Sequence, residues 1–391
     1  MRILTVSNCP LSESSGSGYV INNFCRGLRE RGHEVDLFGP ESYELWPFLR
    51  GKAKSYRQAV GMLGLVRRQM RRNSYDVVEF YGAQSWLAAS LLSRKRRRNY
   101  LLVSHSNGLE THHAQVEGDY WGQNSGDGQK RKWYQLDQSA LYAQSFIAVD
   151  GIATVCYQDV PFALKHGYQD EDHLIAIDNG LPAAYLGLEI DFNKPRRVGF
   201  CGSWLPRKGI AAIGEGMTTV LRRFPNWKLH LIGVGKDFDA AAHFAADVLP
   251  RVEVAAHIES KTELQALYQN MAIFLMPSIH ESFGLVAAEA MACGCALVAT
   301  ETGFAARLAT GKEACIIRNP DGSELAAAVS QLIEDEALRV LVARNGYLRV
   351  QNLRWDTAVE TLESVYLRWL GEVRNRSLHS LKPVNPSRNT Q

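Results

Sequence analysis

The chain has 391 residues, with 44 Lys and Arg against 41 Asp and Glu for a formal charge of +3. That length supports two or more domains with separate cores, and so even a charge balance favours no class of partner. Seven scattered cysteines without a C-x-x-C pattern exclude a disulfide or zinc framework and predict reduced thiols in a cytoplasmic protein.

In chain order, the first predicted strand is Arg2–Ser7, which starts without the n- and h-regions of a signal peptide. Gly16-Ser17-Gly18 then opens a helix, Tyr19–Glu30, with Val20, Phe24 and Leu28 on one stripe. Position 21 is Ile, and the Asn8–Gly18 loop is longer than a dinucleotide fingerprint needs, so a nicotinamide dehydrogenase is poorly supported. A loop in which Gly16 and Gly18 approach a ligand and a plain loop stay about equally open. Strands follow at Glu34–Phe38, Val77–Phe80, Tyr100–Ser104, Gly151–Val155 and Leu174–Ile177.

Residues 50–98 hold thirteen Lys or Arg against Asp76 and Glu79, a local charge of +11. Leu63, Leu65, Val66 and Met70 are interleaved on a predicted amphipathic helix there. Such density suits an anionic membrane surface, with a merely solvated basic face as the alternative. Nucleic acid is excluded as a partner because no binding motif accompanies the clusters. His105 follows a strand, where its side chain would emerge at a cleft, as a structural or a catalytic histidine. His112-His113 lacks companions at metal spacing and is expected at the surface. The stretch His112–Gln135, with Tyr120, Trp121, Trp133 and Tyr134, is a candidate for acceptor contacts.

Asn179-Gly180-Leu181-Pro182 is a turn signal between two strand-rich halves. Strands resume at Arg197–Cys201, Lys228–Ile232, Val252–Ala255, Ala272–Met276, Ala296–Ala299 and Ala314–Ile317. After the first of these, Gly202–Gly209 carries Ser203 and the cations Arg207 and Lys208, which would neutralise a diphosphate at the strand's carboxyl end.

The most informative stretch is His280–Gly294. Glu281 should sit in a loop after a buried strand, and Glu289 inside a helix, Phe283–Ala292, ended by Gly294. The free N–H groups of that first turn favour an anion. A ligand with hydroxyls at one end and phosphates in the middle, such as a nucleotide sugar, fits that layout. Gly294 also splits the apolar run into helix and strand, which argues against a membrane span.

Strand–helix alternation throughout predicts an α/β protein of two doubly wound parallel-sheet, Rossmann-like domains facing a central cleft. The first runs over 1–180, the second over 181–370 with a last helix crossing back, and 371–391 forms a disordered tail.

The chain resembles the retaining nucleotide-sugar glycosyltransferases of the group-1 family, family 4, which have the GT-B fold. The likeness rests on Pro277–Glu281 through Glu289–Thr300, with Gly16–Gly18, Arg31–Val35, Asn179-Gly180, Lys208-Gly209, Asp321 and Trp355-Asp356 in support. The resemblance implies Glu281 on hydroxyls of the donor sugar, Glu289 on the ribose and Lys208 on the diphosphate. It implies donor contacts at Ser282, Phe283, Gly284 and Leu285, the last three through backbone N–H, and His105 near the reacting sugar. The family's arginine before its motif glycine falls on Ser203, with Arg207 as a substitute, and its Gly-Gly-x-Pro-Glu stretch reads Gly303–Arg307. The expected activity is sugar transfer with retention from a nucleotide diphosphate to a hydroxyl of a glycan, lipid-linked or small-molecule acceptor. No cofactor and no divalent cation are expected, there being no Asp-x-Asp pair. A sugar-nucleotide epimerase and a non-catalytic nucleotide-sugar binder remain the alternatives.

Overall fold

The computed structural model describes residues 1–12, 16–45, 48, 52–95, 98–124, 133–258 and 260–379. The first half contains β1 (Arg2–Ser7), α1 (Gly16–Glu30), β2 (Glu34–Phe38), α2 (Lys52–Arg72), β3 (Val77–Tyr81), α3 (Trp86–Ser93), β4 (Leu101–Ser106), α4 (Glu110–Asn124), α5 (Trp133–Ile147), β5 (Gly151–Thr154), α6 (Asp159–Lys165) and β6 (Leu174–Ala176). The second contains β7 (Arg197–Cys201), α7 (Ile210–Arg223), β8 (Lys228–Ile232), β9 (Val252–Ala255), α8 (Lys261–Gln269), β10 (Ile273–Met276), α9 (Leu285–Ala292), β11 (Ala296–Thr300), β12 (Cys315–Ile317), α10 (Gly322–Glu334), α11 (Glu336–Val350) and α12 (Trp355–His379). Every predicted strand is present, with ends that coincide or differ by one or two residues.

The strands form two six-stranded sheets, ordered β2-β1-β3-β4-β5-β6 and β12-β11-β10-β7-β8-β9. Their pairings are parallel, so this is the GT-B arrangement of two Rossmann-like units. Central strands such as β10 and β11 are buried along their whole length, as expected when helices cover both faces. Strand order reverses between β1 and β3 in the first sheet and between β7 and β10 in the second. Ligands of open α/β sheets bind outside the carboxyl ends of strands at such a reversal.

Two predicted elements are corrected by packing. Helix α1 begins at Gly16, so Gly16 and Gly18 form its first turn rather than a loop before it. On α2, Leu63, Leu65 and Val66 are buried in the core with Met62 and do not face outward. A helix lying on a sheet must turn its apolar stripe inward. Among its described residues, the side chains that α2 leaves exposed are those of Lys54, Tyr56, Val60, Arg67, Arg68, Arg71 and Arg72.

Helix α12 leaves the second half and packs on α1 and β4 of the first. It runs to His379, so residues 371–379 are helix rather than the expected tail, whose remaining residues lie outside the described ones. Three glycines make room for it. A Cβ would lie 2.5 Å from Val359 at Gly27, 2.6 Å from the Trp369 ring at Gly151, and 2.4 Å from the Trp355 nitrogen at Gly180. Beneath the helix, the buried Glu79 carboxylate accepts from Tyr366 Oη at 2.6 Å and from Thr5 Oγ1 at 2.6 Å, and lies 2.7 Å from His105 Nδ1. Burial alone would raise its pKa, but hydrogen bonds from His105, Thr5 and Tyr366 hold it below the ordinary value. Tyr366→Phe removes one of these donors to a buried charge. It should lower unfolding free energy by about 1–3 kcal/mol in a urea titration; a change near zero would mean that Tyr366 does not stabilise the anion.

Candidate active site

The reversal between β7 and β10 brings together the two loops that carry Lys208 and Glu281. The loops interlock closely. Gly209 has φ +72°, and a Cβ there would stand 1.9 Å from the Pro277 carbonyl oxygen, so only glycine serves. Ile279 N donates to Arg207 O at 2.8 Å. Within this junction Lys208 Nζ pairs with Glu281 Oε1, which also accepts from Ser278 Oγ at 2.8 Å. Oε2 has no hydrogen-bond partner among the described residues. Burial would push the Glu281 carboxyl up, but the Lys208 ammonium, Ser278 and the Arg207 charge hold it below its ordinary value. Glu281 is therefore a fixed anion with one oxygen free.

Helix α9 follows directly. Gly284 is its N-cap at φ +88°, ψ 51°, without a side-chain cap, so the first N–H groups stay available for an anionic ligand. The left-handed residue also moves the helix start to Leu285 rather than Phe283. Its far end closes as a Schellman turn, with Cys295 N on Ala290 O at 3.0 Å and Gly294 N on Met291 O at 2.9 Å. Glu289 is half-buried inside the helix, with Tyr268 Oη at 3.4 Å from Oε2. Burial raises its carboxyl to about 7, against the pull of the Lys261 ammonium. Lys261 also lies over the Tyr19 ring at 4.2 Å, so the start of α1 approaches the Glu289 side of the cleft. Gly18 is buried there, whereas Gly16 is exposed with nothing within 4 Å of a Cβ.

Other predicted residues fall around this centre. Ser203 is exposed in the turn before Pro206, and Arg207 contributes its carbonyl to the junction and its charge to Glu281. Phe283 is buried against Phe304 at 5.5 Å, leaving only its backbone for a ligand. Ser282 packs on Gly108 of the first half, where a Cβ would meet its Oγ at 2.1 Å. Arg307, in place of the family's glutamate, pairs with Asp178 and stacks 3.7 Å from the Tyr157 ring centroid. Gln158 spans the same boundary, donating to Glu301 O at 2.9 Å and accepting from Gly303 N at 3.2 Å.

Two histidine expectations fail. His105 does not emerge at the cleft: it is wholly buried, with Nδ1 2.6 Å from Tyr81 Oη and its ring 4.6 Å from Phe24. The strand's alternation turns it toward α1. The pair His112-His113 is not free surface. His112 Nδ1 lies 2.7 Å from the buried carboxylate of Asp159, and His113 stacks on His280 at 4.8 Å. Among the described residues no set of three His, Cys, Asp or Glu is arranged to hold a metal ion. Ser278, which stands three residues before Glu281 in the key loop, was given no role from sequence. Lys261 and Tyr268 come from α8, with no local pattern to mark them. Of the suggested aromatic contacts, Tyr120 borders the cleft, and the side chains of Trp133 and Tyr134 lie outside the described residues.

Both halves of the chain match known protein families. Residues 195–335 match the family model for glycosyl transferases group 1, and residues 14–153 that for glycosyltransferase family 4. The chain is 28% identical over 180 residues to the capsular polysaccharide biosynthesis glycosyltransferase CapM of Staphylococcus aureus, covering 45% of this chain and 47% of that one. It is 28% identical over 232 residues to the lipopolysaccharide core biosynthesis mannosyltransferase LpcC of Rhizobium leguminosarum, covering 57% and 61%. These matches span about half the length of the curated relatives. Among solved structures, sucrose-phosphate synthase from Thermosynechococcus elongatus superposes with TM-score 0.77 at 17% identity, over 95% of this chain and 100% of that one. WaaG, a glycosyltransferase of lipopolysaccharide biosynthesis, gives 0.68 at 13%, over 94% and 99%. At such identities these two likenesses carry the architecture alone.

The raised carboxyl of Glu289 has a consequence for stability. The folded state keeps its proton up to about 7, whereas an ordinary glutamate loses it near 4.5. Across that window the folded state binds more protons, so Glu289 lowers stability as pH rises, by up to about 3 kcal/mol. Glu289→Gln should therefore gain stability relative to wild type between pH 4.5 and 8 in thermal melts. A constant difference across that range would show that Glu289 titrates normally.

Proposed function

The chain belongs to the group-1, family 4 glycosyltransferases, and on that basis we propose that it moves a sugar from a nucleotide diphosphate to a hydroxyl of a glycan or lipid-linked acceptor. The observation that carries this reading is the Lys208–Glu281 pair beside the open N-terminus of α9, at the strand reversal where a ligand of this fold lies. A donor there would place its diphosphate against Lys208 and the first N–H groups of α9. The positive field of both meets the charge that develops as the glycosidic bond to phosphate breaks. Lys208 would shift its hold from Glu281 toward the phosphate, while Glu281 Oε2 accepts from hydroxyls of the donor sugar. Glu289, protonated or not, can hydrogen-bond the ribose diol. Attack on the same face, with a donor phosphate oxygen taking the acceptor's proton, gives retention without an enzyme nucleophile. The charge is supplied by Lys208 and the helix, so no divalent cation is needed.

Incubation with a panel of nucleotide sugars should release a nucleoside diphosphate and survive EDTA. An altered sugar without release would mark an epimerase, and binding without turnover would mark a binder. Glu281→Gln should lower kcat by roughly 10²-fold, the effect of losing an interaction used mainly in the transition state. Full turnover in that variant would remove Glu281 from the donor site.

We also propose peripheral attachment to an anionic membrane face, on the cytoplasmic side, through the outer surface of α2. Its exposed Arg67, Arg68, Arg71 and Arg72 lie along from exposed Tyr56 and Val60, and among the described residues no helix is long and apolar enough to cross a membrane. Each such cation contributes about 1 kcal/mol near an acidic surface. Co-sedimentation with acidic liposomes should fall with salt and disappear when these four arginines become Gln. Equal behaviour with neutral and acidic liposomes would overturn the attachment.

A further inference from the structure

Beyond the Glu281 loop the cleft has a second chamber of about 300 Å³, walled by both halves. Helix α4 and the turn after β5 close it from one side, and the turns after β10, β11 and β12 from the other. Three residues that line it carry a hydrogen-bonding atom without a protein partner among the described residues. The first is Nε2 of His112, whose Nδ1 is held by Asp159. Asp159 is itself fully buried and fixed by Leu109 N at 2.9 Å and Thr154 Oγ1 at 2.7 Å. The second is Nε2 of His280, a residue 4% exposed whose ring lies 5.5 Å from that of His112. The third is Oγ1 of Thr302, a residue 9% exposed.

Buried polar atoms without partners are costly and mark a place where a ligand completes the bonding. What kind of ligand follows from the chemistry of the walls. Burial keeps His280 neutral, with its pKa pressed down to about 4. Its charged neighbours include the carboxylates of Asp159 and Glu281, and Arg318 stands exposed at the rim. This is a poor cradle for an anion. The neutral imidazole of His280, the Nε2 of His112 and a threonine hydroxyl instead match hydroxyl groups, which both donate and accept.

We infer that this chamber is the subsite for the acceptor's sugar ring, with His112 Nε2, His280 Nε2 and Thr302 Oγ1 holding hydroxyls of a neutral polyol. The inference rests on the glycosyltransfer reading above and deepens it: the acceptor ends in an uncharged sugar. Ser278 lines the same chamber and bonds Glu281, so a ring seated here lies next to the donor sugar's carboxylate. His112 acts as an orienting contact, its Nδ1 held by Asp159.

The test uses the full chain with methyl α-glucopyranoside, methyl α-mannopyranoside and methyl α-galactopyranoside as probes, read by saturation-transfer NMR. At least one glycoside should bind, and inorganic phosphate at equal concentration should not displace it. His112→Ala should weaken that binding about five-fold, the size of one lost hydrogen bond. Val116→Trp, which fills the chamber from the face of α4, should abolish it, and Tyr120→Ala serves as the check if that variant does not fold. Displacement by phosphate, undiminished binding in the filled variant, or no glycoside binding to the wild type would each overturn the subsite. Nucleoside diphosphate binding, measured separately by calorimetry, tells the two readings apart. Nucleotide bound without any glycoside refutes this subsite alone, and glycoside bound without any nucleotide refutes the donor reading.

Discussion

A carboxylate and an ammonium withdrawn from water at the junction of two loops set the terms for the rest of this molecule. Neither Glu281 nor Lys208 could remain there without the other, because an isolated charge in that position would lose its hydration without return. Their pairing requires the turn after β7 to lie on the turn after β10, which requires Gly209 against Pro277 and the bond from Ile279 to Arg207. Such a pair contributes little net stability compared with apolar residues of the same volume. Its presence at the point where strand order reverses is therefore better explained by chemistry than by folding. It keeps two opposite charges at fixed spacing in a poorly solvated cleft, where each is worth more to a ligand than it would be in water.

The same cleft is closed by contacts that belong to neither sheet. Gln158 bridges the carbonyl of Glu301 and the amide of Gly303, and Arg307 lies between Asp178 and the ring of Tyr157. Gln158 and Glu301 line the chamber, and Gly303 stands against Glu281. Domain closure in enzymes of this kind excludes water and completes the site. Beside these polar bonds, one buried apolar cluster includes residues of both halves, among them Tyr19, Val155, Tyr268 and Phe283.

The sheets were legible because buried parallel strands leave short β-branched runs between turn signals, and the order of those runs alone implied two doubly wound units. Glu281 and Glu289 were legible for a related reason: a charge in an apolar stretch draws attention to itself. His105 was misjudged because a strand's alternation decides which face a side chain takes, and one position of parity separates the cleft from the core. His112 was misjudged for the opposite reason. Its partners Asp159 and His280 lie far along the chain, and nothing within α4 signals them. On α2 the amphipathic pattern was legible, but the core beneath, not the basic outer surface, takes Leu63, Leu65 and Val66.

The returning helix α12 has one more implication, for the way the gene can be divided. Trp369 fills the volume above Gly151, and the Tyr366 hydroxyl completes the Glu79 network. A fragment ended at the seam near residue 180 would present an empty indole-shaped seat and a buried anion stripped of a donor, both far from the cut. Such a fragment would be sticky through a surface that the intact chain never shows. The two sheets are thus separable on paper but not as polypeptides, unless the first is given back a helix encoded two hundred positions downstream.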